Sequence, residues 1–415
     1  MAVEVVEERT RGDPRCLADG FDGDVLRPVL GGESYSRLGQ SRTRGLLLAL
    51  PQSGNGAFGP HILQGMQKCR ICKMNPSGRR GRARNITRME QRTLGRTGRD
   101  VSVIGLGTWQ LGADWGDVAE SDALAVLDAA AESGVTFFDT ADVYGDGRSE
   151  QFIGRYLKNH PDAGIFVATK MGRRAEQLPE NYVLDNFRAW TDRSRSNLGV
   201  DTLDLVQLHC PPTAVIASDA VFDALDTLVA EGRTAAYAVS VETCAQALAA
   251  IARPGVAAVQ IILNPFRLKP LEEVLPAARE AGVGIIARVP LASGLLSGKY
   301  TKDTVFAADD HRSFNRNGEA FDQGETFSGI EYGTGLAAAA EFSELAPEGA
   351  TPAQTALRWI VQQPGVSSVI PGARSVAQAR GNAQAAALPP LPQSTLDAVT
   401  DLYDRRLRAQ IQHRW

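Results

Sequence analysis

The sequence predicts an α/β chain folded as a (β/α)8 TIM barrel, with a short N-terminal hairpin and a long loop after strand 7. Eight short apolar runs predict it: VSVIGLG, VTFFD, GIFVATK, LDLVQLH, AAYAVS, AAVQIIL, VGIIAR and VSSVIPG. The segments between them repeat their apolar residues every three or four positions and mostly end near Gly, as amphipathic helices do. Strand and helix alternating eight times closes into a parallel barrel. A doubly wound open sheet would give fewer strands and usually a second domain.

The barrel is expected over residues 89–415. Residues 1–88 read as a basic N-terminal extension, disordered or not native to the protein, with Gly, Ser, Arg and Pro interrupting every apolar stretch. They hold 15 Lys and Arg against 8 Asp and Glu, and the remainder holds 29 against 40. The acidic main body gives no reason to expect a nucleic-acid partner for the barrel. The basic run SGRRGRARNITR has no aromatic residues around it and reads as a solvated coil. Cys69 and Cys72 form a CxxC with no second ligand pair at zinc spacing, so no metal is expected. No apolar run reaches the ~18–20 residues that cross a bilayer. A soluble cytoplasmic protein is expected, with self-association left open.

From Thr93 the elements follow in order. TLGRTGRDVSVIGLGTWQLG contains a short strand, a tight turn and a second strand. Helices are expected at SDALAVLDAAAES, EQFIGRYLKNH, VLDNFRAWTDRSRSNLG and AVFDALDTLVAEG, and a last one around Leu396 to Arg408. The connection over 289–331 is much longer than the usual few residues. Its Phe, Ile and Tyr residues favour a cover over the active site rather than a disordered insertion.

In a parallel barrel the functional groups gather at the C-terminal ends of the strands. That rule selects Asp139 and Tyr144 after the second strand, Lys170 after the third and His209 after the fourth. Further round are Ser240, Gln260, Asn264 and Arg288. A lysine ammonium beside a phenol lowers its pKa from about 10, and Asp139 keeps the lysine charged. Tyr144 is then expected to donate a proton to a carbonyl oxygen as hydride reaches the carbon, with His209 bonding the same oxygen. Each residue alone also has a purely structural reading, an ion pair or a satisfied strand-end histidine. Four such groups at successive strand ends favour chemistry.

These residues carry a resemblance to the aldo/keto reductase family. The matching segments are LGRTGRDVSVIGLGTWQLG, GVTFFDTADVYGDGRSEQFIGRYL, IFVATK, LDLVQLH, PLASGLLSGKY and VIPGARSVAQARGNAQA, over about residues 90–390. The resemblance implies carbonyl reduction, or the reverse alcohol oxidation, by a catalytic tetrad at Asp139, Tyr144, Lys170 and His209. It implies NADP(H) as cofactor, with NAD(H) as the alternative, and a small carbonyl or alcohol as substrate. Gly107, Thr108 and Trp109 resemble the turn along the nicotinamide, with Asp139 near its ribose, and Ser240 and Gln260 match the carboxamide positions. Many members stack a tyrosine on the ring where this chain has Arg288, whose planar guanidinium can also stack. Leu291 and Ser293 belong to the segment resembling a clasp over the pyrophosphate.

Gly372, Ala373 and Arg374 precede the helix from Ser375, as a backbone nest for an adenosine 2′-phosphate. The commonest members use a Lys and an Arg where this chain has Gly372 and Gln378, while Asn382 matches the adenine contact. Arg312 and Arg316 are candidates for phosphate or acidic-substrate contact. Trp109, Trp115 and Tyr144 suggest an aromatic-edged pocket. The alternative within the same fold is a cofactor-binding regulatory subunit with little turnover. Metal-assisted hydrolysis is disfavoured, because only His209 among five histidines sits at a strand end.

Overall fold

The computed structural model of the chain describes residues 89–112 and 118–415. The expectations for residues 1–88, the Cys69–Cys72 pair and Trp115 lie outside the described residues.

Strands β1 (Gln91–Thr93) and β2 (Asp100–Ser102) pair as an antiparallel hairpin. Eight parallel strands follow: β3 (Leu106–Gly107), β4 (Phe137–Asp139), β5 (Phe166–Met171), β6 (Leu205–His209), β7 (Tyr237–Ser240), β8 (Val256–Ile262), β9 (Gly284–Arg288) and β10 (Val366–Val369). Each pairs with the next in sequence. Parallel bridges Ile104–Val369 and Gly107–Gly372 join the first strand to the last and close the barrel. The run VSVIGLG is therefore divided, its first part in the hairpin and its last two residues in β3. Apolar character does not record that break, because both parts are buried.

Helices α1 (Glu120–Glu132), α2 (Arg148–Asn159), α3 (Leu184–Leu198), α4 (Asp219–Ala230), α5 (Cys244–Ile251), α6 (Val274–Ala281), α8 (Pro352–Val361) and α9 (Val376–Gln384) lie between or after the strands. Ahead of α8 lies α7 (Tyr332–Ser343), and α10 (Gln393–Arg406) follows α9. Thr243 and Thr351 start α5 and α8 with capping boxes closed by Gln246 and Gln354. Gly199 and Gly282 end α3 and α6 in the left-handed conformation. No helix among the described residues is long and apolar enough to cross a membrane.

Side chains alternate across each strand, so every second residue points into the barrel. Phe137, Phe166, Ala168, Leu205, Ala238, Ala258 and Ile286 pack there with Leu94 and Val101 from the hairpin. Phe137, Phe166 and Leu205 are the first residues of their strands, so the hairpin plugs the N-terminal end. Each buried aromatic or leucine contributes about 1.5–3 kcal/mol. Continuing the same period of two, the inward positions become polar: Asp139, Lys170, Gln207, His209, Ser240, Gln260 and Arg288. All are buried. An apolar floor and a polar C-terminal mouth are thus written in one alternation.

The long connection folds over that mouth. It contains the turn Ala292–Ser297, the single helical turn His311–Phe314 and two further turns at Gln323–Glu325 and Phe327–Gly329. His311, Phe327 and Ile330 are buried in it, as expected of a cover. Ala292, Ser293, Phe327 and Ser328 all have φ near +50°. With Val289, also at φ +50°, five non-glycine residues of the connection store strain held by the surrounding contacts. Ser293 Oγ supplies two of them, accepting from Phe327 N at 3.0 Å and donating to Glu325 O at 2.8 Å.

Candidate active site

Tyr144 is placed by glycine. The turn after β4 presses backbone to backbone on the turn after β3, and a Cβ on Gly112 would lie 2.6 Å from the Tyr144 carbonyl carbon. Gly145 faces Gly112 with φ +59°. Side chains at either position would push the two turns apart and displace the phenol.

Lys170 Nζ is 2.5 Å from Asp139 Oδ1, 2.8 Å from the Thr140 carbonyl and 3.3 Å from the Tyr144 hydroxyl. The second Asp139 oxygen accepts from Gln207 Nε2 at 2.9 Å and Gln260 Nε2 at 2.8 Å. Gln260 also donates to Gln207 Oε1 at 3.0 Å. The buried carboxylate therefore has charge-assisted partners on both oxygens, which fixes its side chain. His209 meets Tyr144 edge-on, with ring centroids 5.9 Å apart. The four residues expected to act together do converge.

The electrostatics differ from the sequence expectation in one respect. Lys170 does lower the Tyr144 pKa, but burial outweighs it and leaves the phenol above its ordinary value. In low dielectric the charged form is penalised more than one neighbouring ammonium, already paired with Asp139, can offset. Tyr144 is thus a protonated donor at neutral pH. Burial opposes the charge on Lys170 too, yet Asp139 and Tyr144 hold its pKa above normal. For His209, burial and then Arg173, Lys170 and Arg288 push the pKa well below the usual value. Its imidazole is neutral, and Nδ1 has no hydrogen-bond partner.

A cavity of about 590 Å³ opens over these groups and runs along the mouth to the start of α9. Fifteen of the expected residues line it: Gly107, Thr108, Trp109, Asp139, Tyr144, Gln260, Arg288, Leu291, Ser293, Arg312, Gly372, Ala373, Arg374, Gln378 and Asn382. Trp109 forms an aromatic wall with Tyr144 at 6.2 Å and His311 at 5.3 Å between centroids. Lys170, His209 and Ser240 are not part of the lining. Lys170 supports Tyr144 through the 3.3 Å contact, and Ser240 Oγ lies 3.4 Å from Cys210 Sγ. Asn264 is turned into the fold, donating to Val289 O and Ser328 Oγ.

Several side chains have additional work. Gln378 Oε1 accepts the Arg374 backbone N–H at 2.7 Å, and Ser375 Oγ accepts Gln378 N, so the turn before α9 is partly satisfied internally. Asn382 donates to Gly372 O at 3.1 Å. Arg288 donates to Glu242 Oε2 at 2.7 Å and lies 3.3 Å from Glu325 Oε1. Arg312 pairs with Asp310 and the Tyr300 hydroxyl, and Arg316 donates to Arg312 O. These last two arginines brace the long loop.

Sequence reasoning missed Gln207, Glu242, Glu325 and Arg173. Gln207 was readable: in LDLVQLH it stands two before His209 and shares its face. Glu325 reaches the mouth from within the long loop, and no local pattern announces it.

Lys299, Arg312 and Arg374 line the cavity, and Thr108, Ser293 and Ser297 add hydroxyls. That donor set suits an extended anionic ligand such as a dinucleotide. A closed parallel barrel with a cavity at its strand ends is the architecture of a barrel enzyme. The model of the aldo/keto reductase family matches residues 103–404, and the chain belongs to that family. It is 30% identical over 302 residues to the uncharacterized oxidoreductase YqkF of Bacillus subtilis, covering 72% of this chain and 91% of that one. The glycerol dehydrogenase AKR11B4 of Gluconobacter oxydans superimposes with a TM-score of 0.63 at 29% identity, over 78% of this chain and 97% of that one. The holo aldo-keto reductase AKR11C1 of Bacillus halodurans gives 0.62 at 26% identity, over 76% and 96%.

Proposed function

We propose that the protein is an NADP(H)-dependent reductase of aldehyde or ketone carbonyls, with Tyr144 as general acid. The single observation that carries this reading is the buried Asp139–Lys170 pair bonded to Tyr144, which lines the cavity beside a neutral His209. When bound, the nicotinamide supplies hydride to the carbonyl carbon. Tyr144 gives its proton to the carbonyl oxygen, and Lys170 stabilises the phenolate that remains. Asp139 keeps Lys170 charged and is itself fixed by Gln207 and Gln260. His209 hydrogen-bonds the carbonyl oxygen as a neutral donor and orients the substrate.

Gly107, Thr108, Trp109, Ser240 and Gln260 would hold the nicotinamide half of the cofactor, with Arg288 beneath the ring. Leu291 and Ser293 would lie along the pyrophosphate, and Gly372, Arg374, Gln378 and Asn382 at the adenosine end. Arg374 supports NADP(H) over NAD(H). The test is titration with NADPH and NADH, then turnover with short, aromatic, dicarbonyl and sugar aldehydes. Saturable nicotinamide oxidation is expected, with Tyr144→Phe losing about 10²–10⁴-fold in rate at nearly unchanged cofactor affinity. Binding of neither nucleotide would overturn the reading.

A further inference from the structure

Gln110 is the middle residue of the short turn Trp109–Leu111 that follows β3. This turn stands at the seam where the barrel closes. There Gly107 bridges to Gly372, just past β10, and its N–H donates to Pro371 O at 3.0 Å. The Gln110 side chain crosses the seam and lies against Gly372. A Cβ on Gly372 would collide with its Oε1, Cδ and Nε2 together. Both residues line the cavity that Tyr144 lines.

Gly372 does not adopt a positive φ, so the backbone there does not call for glycine. What it lacks is room, because any side chain at that position displaces the amide. The amide itself is left incomplete. Gln110 Oε1 is buried, and among the described residues it has no hydrogen-bond partner. Folded proteins seldom leave a buried acceptor in that state without a use for it.

An amide accepts at its oxygen and donates at its nitrogen. A ligand completing this one must bring a donor, with an acceptor close beside it. Gln110 reaches from the turn that carries Trp109 to the turn that carries Arg374. A dinucleotide running from the tetrad to the start of α9 passes that point with the sugars and phosphates that link its two bases. A ribose hydroxyl donates, and a neighbouring phosphate oxygen accepts.

We propose that Gln110, seated on Gly372, holds the cofactor at its ribose–pyrophosphate segment, with Oε1 accepting from a ribose hydroxyl and Nε2 donating to a phosphate oxygen. The proposal rests on the reductase reading above. It adds a contact to the part that NADPH and NADH share, whereas Arg374 addresses the 2′-phosphate that only NADPH carries. Gln110 sets affinity, and Arg374 sets preference.

Calorimetry with NADPH, NADH and ADP-ribose reads the contact without turnover. Gln110→Ala is expected to weaken all three by about tenfold. Gln110→Glu keeps the shape and should weaken them further, because a carboxylate then faces the pyrophosphate. Gly372→Ala should match Gln110→Ala in the wild-type background. Combined with Gln110→Ala it should add less than about twofold, since the amide it displaces is already gone.

A loss confined to NADPH, or one absent with ADP-ribose, would put Gln110 at another part of the cofactor and overturn the proposal. Fully additive losses from the two alanine substitutions would overturn it too. If the wild type binds neither nucleotide, the reductase reading fails and takes this contact with it. If the wild type binds both and Gln110→Ala binds them equally well, the contact alone fails.

Discussion

The ammonium of Lys170 lies 3.3 Å from the hydroxyl of Tyr144, the lysine buried and the tyrosine half-buried at the cavity wall. Proximity alone would favour tyrosinate, but burial of the phenol is the larger effect and keeps it protonated. The pair is therefore poised to give a proton rather than to take one. Lysine acts by stabilising what forms after the transfer.

Carbonyl reduction should accordingly show no alkaline loss from Tyr144 below its ordinary pKa of about 10. His209, with its pKa held low, should introduce no acidic limb on entering the usual histidine range near pH 6.5. Lys170→Met should reduce kcat/KM by about 10²-fold or more, and should destabilise the fold by about 3–5 kcal/mol by leaving Asp139 uncompensated. A pH–rate profile of the wild type and urea unfolding of the variant check these statements. A wild-type rate that fell between pH 7 and 9 would contradict the assigned protonation of Tyr144.

Asp142 gives a pH dependence of the fold itself. Its carboxylate is buried, both oxygens lack hydrogen-bond partners, and burial and then Glu150 raise its pKa to about 7. A carboxyl whose folded pKa exceeds its unfolded value contributes stability at low pH and loses it as pH rises through the folded value. The window here runs from about 4 to about 7, where the unfolded chain has already lost the proton. Asp142→Asn removes that titration, so it should gain stability relative to the wild type at pH 8 and not at pH 4. The gain has an upper bound of about 4 kcal/mol. Thermal unfolding at the two pH values decides it, and an equal shift at both would show that the carboxyl does not titrate in the fold.

The parts legible in the sequence are those written locally. Strand runs, helix periods and the order Asp139, Tyr144, Lys170, His209 along successive strands needed only spacing and the rule that barrel sites lie at strand ends. The inward face of β6 could have been read further, from His209 back to Gln207. The hairpin was recognised, yet the division of VSVIGLG between β2 and β3 was not, because a buried bend between two apolar strands leaves no polar mark. Glu325 was invisible for a different reason. It reaches Arg288 from 37 residues away through a loop whose path depends on five positive-φ residues, Ser293 among them. The phenol pKa was misjudged because a sequence shows the neighbouring charge but not the depth of burial.

Trp415 also supports that loop, beside Arg414, which donates to Gln323 Oε1 and Gly329 O. Its indole stacks 3.8 Å from the Arg267 guanidinium, and Arg267 Nη2 donates to the carbonyl of Glu242. A Cβ on Gly329 would already lie 3.0 Å from the same indole, and one on Gly324, next to Glu325, 2.7 Å from it. Removing the ring withdraws packing from Arg267 and from both glycine turns together. Trp415→Ala should therefore destabilise the protein by about 3–5 kcal/mol. It should also accelerate amide exchange over residues 323–330 more than in the barrel strands, because local opening of the loop becomes easier. Denaturant unfolding gives the first quantity and hydrogen exchange the second. A stability loss with unchanged exchange over 323–330 would mean that Trp415 packs the C-terminal helices alone and does not hold Glu325 at the mouth.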